Sequence, residues 1–273
     1  MFERRGGLLY PTASVAESAN GRGEMAGRLT GHKALVTGGA RGIGRAIALA
    51  LAREGADVAV SYLTSAAGAR TLVSKLRGMG VGAIAIRADV RREGEVRHLV
   101  DTVAKRLDGL DILVNNAGNY VVKNVEDLSY AEWRDLLDSN VTAAFLCAKY
   151  AIPPMRRRGW GRIVSLGAAG AYRAHGSKGM SGFYAGKAGI VALSKSLARE
   201  VGRHGITVNV VSPGVVEDYD LTVAEARRRK DKETATGRPG TAADIANAVV
   251  FLCTEEASFI TGDVLNVTGG WLL

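Results

Sequence analysis

Cysteine is nearly missing from this sequence: Cys147 and Cys253 are the only two in 273 residues. Neither has a Cys or His nearby at metal-ligand spacing, which argues against a zinc site. Both sit in apolar segments that read as helices, so they are expected to be buried, reduced thiols. No apolar run is long enough to cross a bilayer. The N-terminus lacks the apolar stretch of a secretory signal. These absences predict a cytoplasmic protein with no membrane partner. Helix-turn-helix and RRM signatures are absent too, as is the basic–aromatic interleaving of single-strand binders. A nucleic-acid partner is therefore not expected.

Acidic residues are in deficit: 27 Asp and Glu against 36 Lys and Arg give a formal net charge of +9. Much of the excess is clustered. Arg156, Arg157 and Arg158 form one group, with Arg162 just beyond. Arg227, Arg228, Arg229, Lys230 and Lys232 form another. Such runs read first as solvated faces. Their functional alternative is the docking of an acidic carrier protein or cofactor.

The chain is long enough to bury a substantial core, and 47% hydrophobic with 23% charged residues is a globular balance. Residues 1–29 are poor in apolar periodicity and read as a flexible extension. From Lys33 onward, short apolar strands alternate with helices. Strands are expected at Lys33–Thr37, Asp57–Tyr62, Val81–Ala88, Asp111–Asn115, Arg162–Leu166, Thr207–Ser212 and Val264–Val267. Helices are expected at Gly42–Glu54, Ala66–Arg77, Arg92–Leu107, Trp133–Ala151, Phe183–His204 and Ala242–Cys253. The Pro153-Pro154 pair is expected to end the fourth helix. The strands are apolar throughout rather than alternating, which predicts coverage on both faces. The expected fold class is α/β, a Rossmann-type doubly wound parallel sheet in a single domain over residues 30–273.

The first strand runs into Thr37-Gly38-Gly39-Ala40-Arg41-Gly42-Ile43-Gly44. Glycines between a strand and a helix permit a tight turn, close approach of backbone to a pyrophosphate, and close helix–strand packing. The N-terminus of the following helix offers free N–H groups and the positive end of its dipole. Gly38, Arg41, Gly42, Ile43 and Gly44 are thus candidates for binding a dinucleotide. The second strand ends Ser61-Tyr62-Leu63-Thr64-Ser65, without the acid that would favour NAD by binding the adenosine ribose hydroxyls. A 2′-phosphate there meets no repulsion, and Arg41 is placed to pair with it.

The spacing Gly-x-x-x-Gly-x-Gly resembles that of the short-chain dehydrogenase/reductase family. The resemblance covers about residues 27–273. It continues through Asp89-Val90, Asn115-Asn116-Ala117-Gly118, Asn140, Lys187, Pro213-Gly214 and the Gly269-Gly270 ending. The overall look is nearest to 3-oxoacyl-carrier-protein reductases. The resemblance implies a preference for NADP(H), with Ser61, Asp89, Val90, Asn116, Ala117, Gly118, Lys187, Pro213 and Gly214 joining the glycine turn around it. It also implies hydride transfer to or from a small or carrier-bound substrate, and a homo-oligomer, tetramer or dimer, paired through its long helices.

In the resembling family a Tyr exchanges the proton, a Lys lowers its pKa, a Ser orients the substrate oxygen and an Asn completes a relay. A phenol with pKa near 10 needs such a cation to work at neutral pH. Asn140 and Lys187 match this pattern. The Ser does not: Gly167 or Ala168 stands in its place, and Ser165 falls too early, inside the strand. The Tyr is also displaced. Phe183 lies four residues before Lys187, where the Tyr belongs, and Tyr184 lies three before it. Either the helix entry shifts and Tyr184 is the acid, or Phe183 takes the acid's position and Tyr184 points elsewhere. The long segment between strand and helix offers Tyr172, His175, Ser177, Lys178 and Ser181 as substitutes. Asp218 stands where the family often has Thr and would repel phosphate if it faced the cofactor. Residues 217–236 read as a charged lid. The set Asn140, Tyr184 and Lys187 is the expected catalytic group. The alternative is a cofactor-binding relative with a non-redox activity or a non-catalytic partner-subunit role.

Overall fold

Each strand of this chain is a run of four to eight mostly β-branched or apolar residues, and burial on both faces draws them side by side. The computed structural model describes residues 27–216 and 218–272. Seven strands form one parallel sheet: β1 (Lys33–Val36), β2 (Asp57–Tyr62), β3 (Ala83–Arg87), β4 (Ile112–Asn115), β5 (Gly161–Leu166), β6 (Ile206–Pro213) and β7 (Val264–Val267). Their spatial order is β3-β2-β1-β4-β5-β6-β7. The eight α-helices are α1 (Gly42–Arg53), α2 (Ala66–Arg77), α3 (Glu93–Arg106), α4 (Tyr130–Leu137), α5 (Ala143–Arg158), α6 (Ser181–Val201), α7 (Val223–Ala226) and α8 (Ala242–Cys253).

The helices make two layers. On one face Ile47 and Leu51 of α1, Leu72 and Leu76 of α2 and Ile245 and Val249 of α8 form a core with the sheet. On the other, Leu99 and Val103 of α3, Leu146 and Met155 of α5 and Ala198 and Val201 of α6 do the same. The strand order reverses between β1 and β4. At such a switch point the connections leave in opposite directions and open a crevice at the carboxyl ends of the strands, which is where doubly wound sheets bind ligands.

Several expectations shift. Within the expected extension, Leu29 is fully buried, its N–H bonds to Glu54 O, and Arg28 pairs with Glu54. The rest of the expected extension, residues 1–26, lies outside the described residues. The long fourth helix is two helices, joined by a single π turn over Asp138–Thr142. The proline pair does not end α5, which continues to Arg158 with Pro153 and Pro154 inside it. The lost N–H bonds are offset by Ala151 and Met155, both fully buried in the core beneath. The helix stops instead at Gly159, whose φ of 66° is the left-handed conformation a C-cap needs. Arg156, Arg157 and Arg158 thereby occupy the last turn, where cations favour the helix dipole, and Arg158 bonds Asp111 at 3.1 Å. Arg158 thus has a structural role in that basic cluster. The two cysteines are buried and unpaired as expected, and burial pushes each thiol up to about 12. No described helix is long and apolar enough to cross a membrane.

Candidate active site

The crevice above the switch point is a cleft of about 1490 Å³. That exceeds the ~300–1,000 Å³ of a single small-ligand site and leaves room for a dinucleotide and a second molecule. Its walls include Gly38, Arg41, Gly42, Ile43, Gly44 and Ser61 from the glycine turn and β2, Asp89 and Val90 after β3, Asn116, Ala117 and Gly118 after β4, Lys187 and Tyr184 from α6, and Pro213 and Gly214 after β6. All the expected cofactor residues are therefore brought to one cleft. Of the expected catalytic residues, Asn140 is the one set just behind its wall.

The glycine turn is held in shape by side chains around it. Gly38 and Gly42 have φ of 61° and 56°, which only glycine adopts without strain. A Cβ on Gly44 would lie 2.5 Å from Asn116 Nδ2 and 2.7 Å from Gly38 O. Asn116 Nδ2 donates to Thr37 O and Gly38 O, at 2.9 and 3.2 Å. The Thr37 hydroxyl accepts from the backbone N–H groups of Asn116 and Ala117, and Ser61 Oγ accepts from Gly38 N–H at 3.3 Å. The turn is thus fixed before a ligand arrives, with the first turn of α1 lining the cleft. This cradle, which any side chain would fill, fits the diphosphate of a dinucleotide. The exposed Arg41 guanidinium makes no ion pair among the described residues. Further along, Arg91 grips Asp89 through both carboxylate oxygens, at 2.8 and 2.7 Å, and that contact holds the Asp89 carboxyl below its ordinary value.

At the other end of the cleft lies Lys187, buried, with Nζ donating to Leu166 O at 2.7 Å. Burial pushes its ammonium down to about 8. The aromatic ring nearest that cation is Phe183, whose centroid lies 5.5 Å from Nζ. The Tyr184 hydroxyl donates instead to Ala169 O at 3.2 Å, with its ring packed on Ala168 and Ala171 at the cleft wall. Of the two directions left open by the sequence, the structure shows the one with Phe183 beside Lys187. Asn140 sits in the π turn, 1% exposed, with Nδ2 donating to Asn119 O and Leu136 O. Gly118 and Gly186 make the space for it, since a Cβ on Gly118 would lie 2.5 Å from Asn140 Oδ1. That oxygen has no hydrogen-bond partner among the described residues. Ser165 lies within β5, where its Oγ accepts from Asn115 Nδ2 at 3.2 Å, outside the cleft.

The segment after β6 covers the glycine turn. Asp218 does not face the phosphate seat; its carboxylate lies 3.6 Å from Arg229. Two neighbours take that place: the Tyr219 ring packs over Gly42, and Asp220 sits 3.4 Å from Arg45. Sequence reading missed Thr37, Arg45 and Tyr219. Thr37 was visible inside the glycine turn, whereas nothing local marks Arg45 and Tyr219 as partners across the cleft.

Comparison with known proteins agrees with this fold. A family model described as Enoyl-(Acyl carrier protein) reductase matches residues 38–272. The 3-oxoacyl-[acyl-carrier-protein] reductase FabG of Staphylococcus aureus strain Mu50 is 40% identical over 240 residues, covering 87% of this chain and 96% of the relative. The Escherichia coli K12 enzyme of the same name is 39% identical over 243 residues, covering 88% and 97%. Among solved structures, a short chain dehydrogenase from Burkholderia cenocepacia J2315 in complex with NADP superposes with a TM-score of 0.80 at 40% identity, covering 89% of this chain and 98% of that one. A blue fluorescent protein from a metagenomic library, in complex with NADPH, gives 0.82 at 36% identity, covering 90% and 100%.

Proposed function

From the premise that this chain belongs to the short-chain dehydrogenase/reductase family, a family of oxidoreductases, we propose that it is an NADP(H)-dependent enzyme that reduces the carbonyl, or oxidises the alcohol, of a small or acyl-carrier-bound substrate. The observation that carries the proposal is a single cleft with a preformed glycine cradle at one end and the buried Lys187 ammonium at the other. The carrier-bound class is drawn from the reductases that the chain resembles at about 40% identity.

The cofactor preference rests on charge. The end of β2 presents Ser61 and no carboxylate, and the exposed Arg41 guanidinium lines the mouth of the cradle. A guanidinium facing a phosphate gains a charge-assisted bond that a ribose hydroxyl does not offer. NADPH should therefore quench intrinsic fluorescence at lower concentration than NADH. Arg41→Ala should weaken NADPH about tenfold or more and leave NADH within about twofold, at ~1.5–3 kcal/mol for a charged hydrogen bond. Tighter binding of NADH to the wild type would overturn the preference.

When bound, the dinucleotide supplies a hydride at nicotinamide C4. Lys187 would hold the adjoining ribose and contribute a positive charge, with Asn140 shaping the wall behind it. Tyr184 is the phenol of the site. Its hydroxyl is committed to the Ala169 carbonyl, so proton transfer to a substrate must first break that bond, and turnover of simple ketones through it is slow. A second reading, a cofactor-binding partner subunit without redox activity, is favoured by the apolar Phe183 and Ala168 where proton-handling groups are expected.

We also propose a homo-oligomer. Tyr130 of α4 and Phe145 of α5 are 73% and 46% exposed, and large apolar surface on packed helices signals association. Light scattering at micromolar protein should give a dimer or tetramer mass; a monomer would contradict it.

A further inference from the structure

The loop between β5 and α6 carries a second pair of proton-bearing side chains. It is fixed at both ends. Arg173 donates to Leu272 O at 2.7 Å, and Lys123 N–H donates to Gly179 O at 2.7 Å. Within it, His175 folds back over Gly170, its own N–H bonding Gly170 O at 3.1 Å. Gly170 has a φ of +76°, and a Cβ there would fall 2.6 Å from His175 Cβ, so only glycine admits this approach. The fold-back sets the His175 ring edge-on against Tyr184, with centroids 5.8 Å apart. It also places Nε2 at 3.4 Å from Ser177 Oγ. Ser177 lines the same cleft as Lys187, Ala168 and Phe183.

On the reading that this cleft performs hydride transfer to a carbonyl, we propose that Ser177, backed by His175, delivers the proton to the substrate oxygen. The balance is complete. The carbonyl carbon takes the hydride, and the C=O π pair moves onto oxygen. Ser177 gives its hydroxyl proton to that oxygen, protonated His175 gives its Nε2 proton to Ser177, and solvent reprotonates the exposed imidazole. The carbonyl gains one hydride and one proton, and NADPH is oxidised. Ser177 touches substrate, while His175 acts through it as the positioning residue and proton source. A distance of 3.4 Å is at the long end for a hydrogen bond, and catalytic bonds of this kind tighten when substrate arrives. The titratable group packed on the ring is Tyr184 from α6; Tyr172, Arg173 and Lys178 are its neighbours in sequence on its own loop. Among the described residues no carboxylate is bonded to it.

The test measures ketone reduction by NADPH in His175→Ala, Ser177→Ala and Tyr184→Phe, with NADPH affinity followed by fluorescence. His175→Ala and Ser177→Ala should each lower kcat by about 100-fold, the usual contribution of a positioned acid, with NADPH affinity within about twofold of wild type. Millimolar imidazole should restore His175→Ala but not Ser177→Ala. In the cofactor-free protein, Ser177→Ala should move the ring ¹⁵N resonances of His175. Wild-type kcat in both variants, or loss of activity confined to Tyr184→Phe, would overturn the relay while leaving the hydride-transfer reading intact. Failure of the wild type to bind NADPH would overturn both.

Discussion

Phe183→Tyr should raise turnover on a simple ketone by about 100-fold. The ring at this position already lies beside the Lys187 ammonium and on the cleft wall, so the substitution adds a hydroxyl without asking the backbone to move. Tyr120 meets the Phe183 ring edge-on at 5.0 Å, which fixes its orientation. A phenol next to a buried cation has its ionised form stabilised, and a well-placed acid contributes about 10²–10⁴-fold. Adding Ala168→Ser should increase the gain, because position 168 follows β5 at the same wall and can bear the hydroxyl that orients the substrate oxygen. In the Phe183→Tyr background the cost of His175→Ala should shrink, since the proton no longer comes only from the loop. Steady-state kinetics with NADPH and a small ketone decide the matter. A Phe183→Tyr enzyme no faster than wild type would mean that the ring does not face the reacting carbon.

Lys187→Met is expected to separate function from stability. Lys187 is 6% exposed and burial lowers its ammonium from 10.5 to about 8, so at neutral pH the fold carries the cost of a buried charge. That shift corresponds to roughly 3 kcal/mol, reduced by about 1 kcal/mol for the hydrogen bond to Leu166 O that the variant loses. The variant should melt about 5 °C higher at pH 7 while binding NADPH at least tenfold more weakly, because the ribose loses its charged partner. The pH dependence has a defined sign. The folded-state value lies below the unfolded one, so between about pH 8 and 10.5 the unfolded chain binds more protons at this site, and stability rises with pH across that window. Lys187→Met should lack this rise. Thermal melts from pH 7 to 10 on both proteins measure it, and a wild type whose stability does not rise relative to the variant would remove the buried-charge argument.

The alternation of apolar strands and helices, the glycine turn and the absence of an acid after β2 were all legible in the sequence, because each is written in local periodicity or in glycine placement. Most element boundaries shifted by only a few residues, as with β3, which begins at Ala83 rather than Val81; the fourth helix is the exception, running on to Arg158 rather than Ala151. What was not legible depended on tertiary packing. Pro153 and Pro154 stay helical because the core beneath Ala151 and Met155 outweighs their missing donors. The π turn at Asn140 exists to fit a side chain between Gly118 and Gly186, two glycines far apart in sequence. Residue spacing named Phe183 and Tyr184 as rivals, but the direction of each ring was set by Tyr120 and by the Ala169 carbonyl. His175 was one polar residue among several in a glycine-rich loop until Gly170 was seen to admit it against Tyr184.

The most direct measurement follows label from cofactor to product. Wild-type protein is incubated with a ketone and NADPH deuterated at both C4 positions of the nicotinamide, and the alcohol is examined by mass spectrometry after hours rather than minutes. The account predicts slow but enzyme-dependent appearance of one deuterium on the carbinol carbon, faster in Phe183→Tyr and nearly abolished in Lys187→Met. Tight NADPH binding with no deuterium in the alcohol, in wild type and Phe183→Tyr alike, would contradict hydride transfer in this cleft and leave the partner-subunit reading standing.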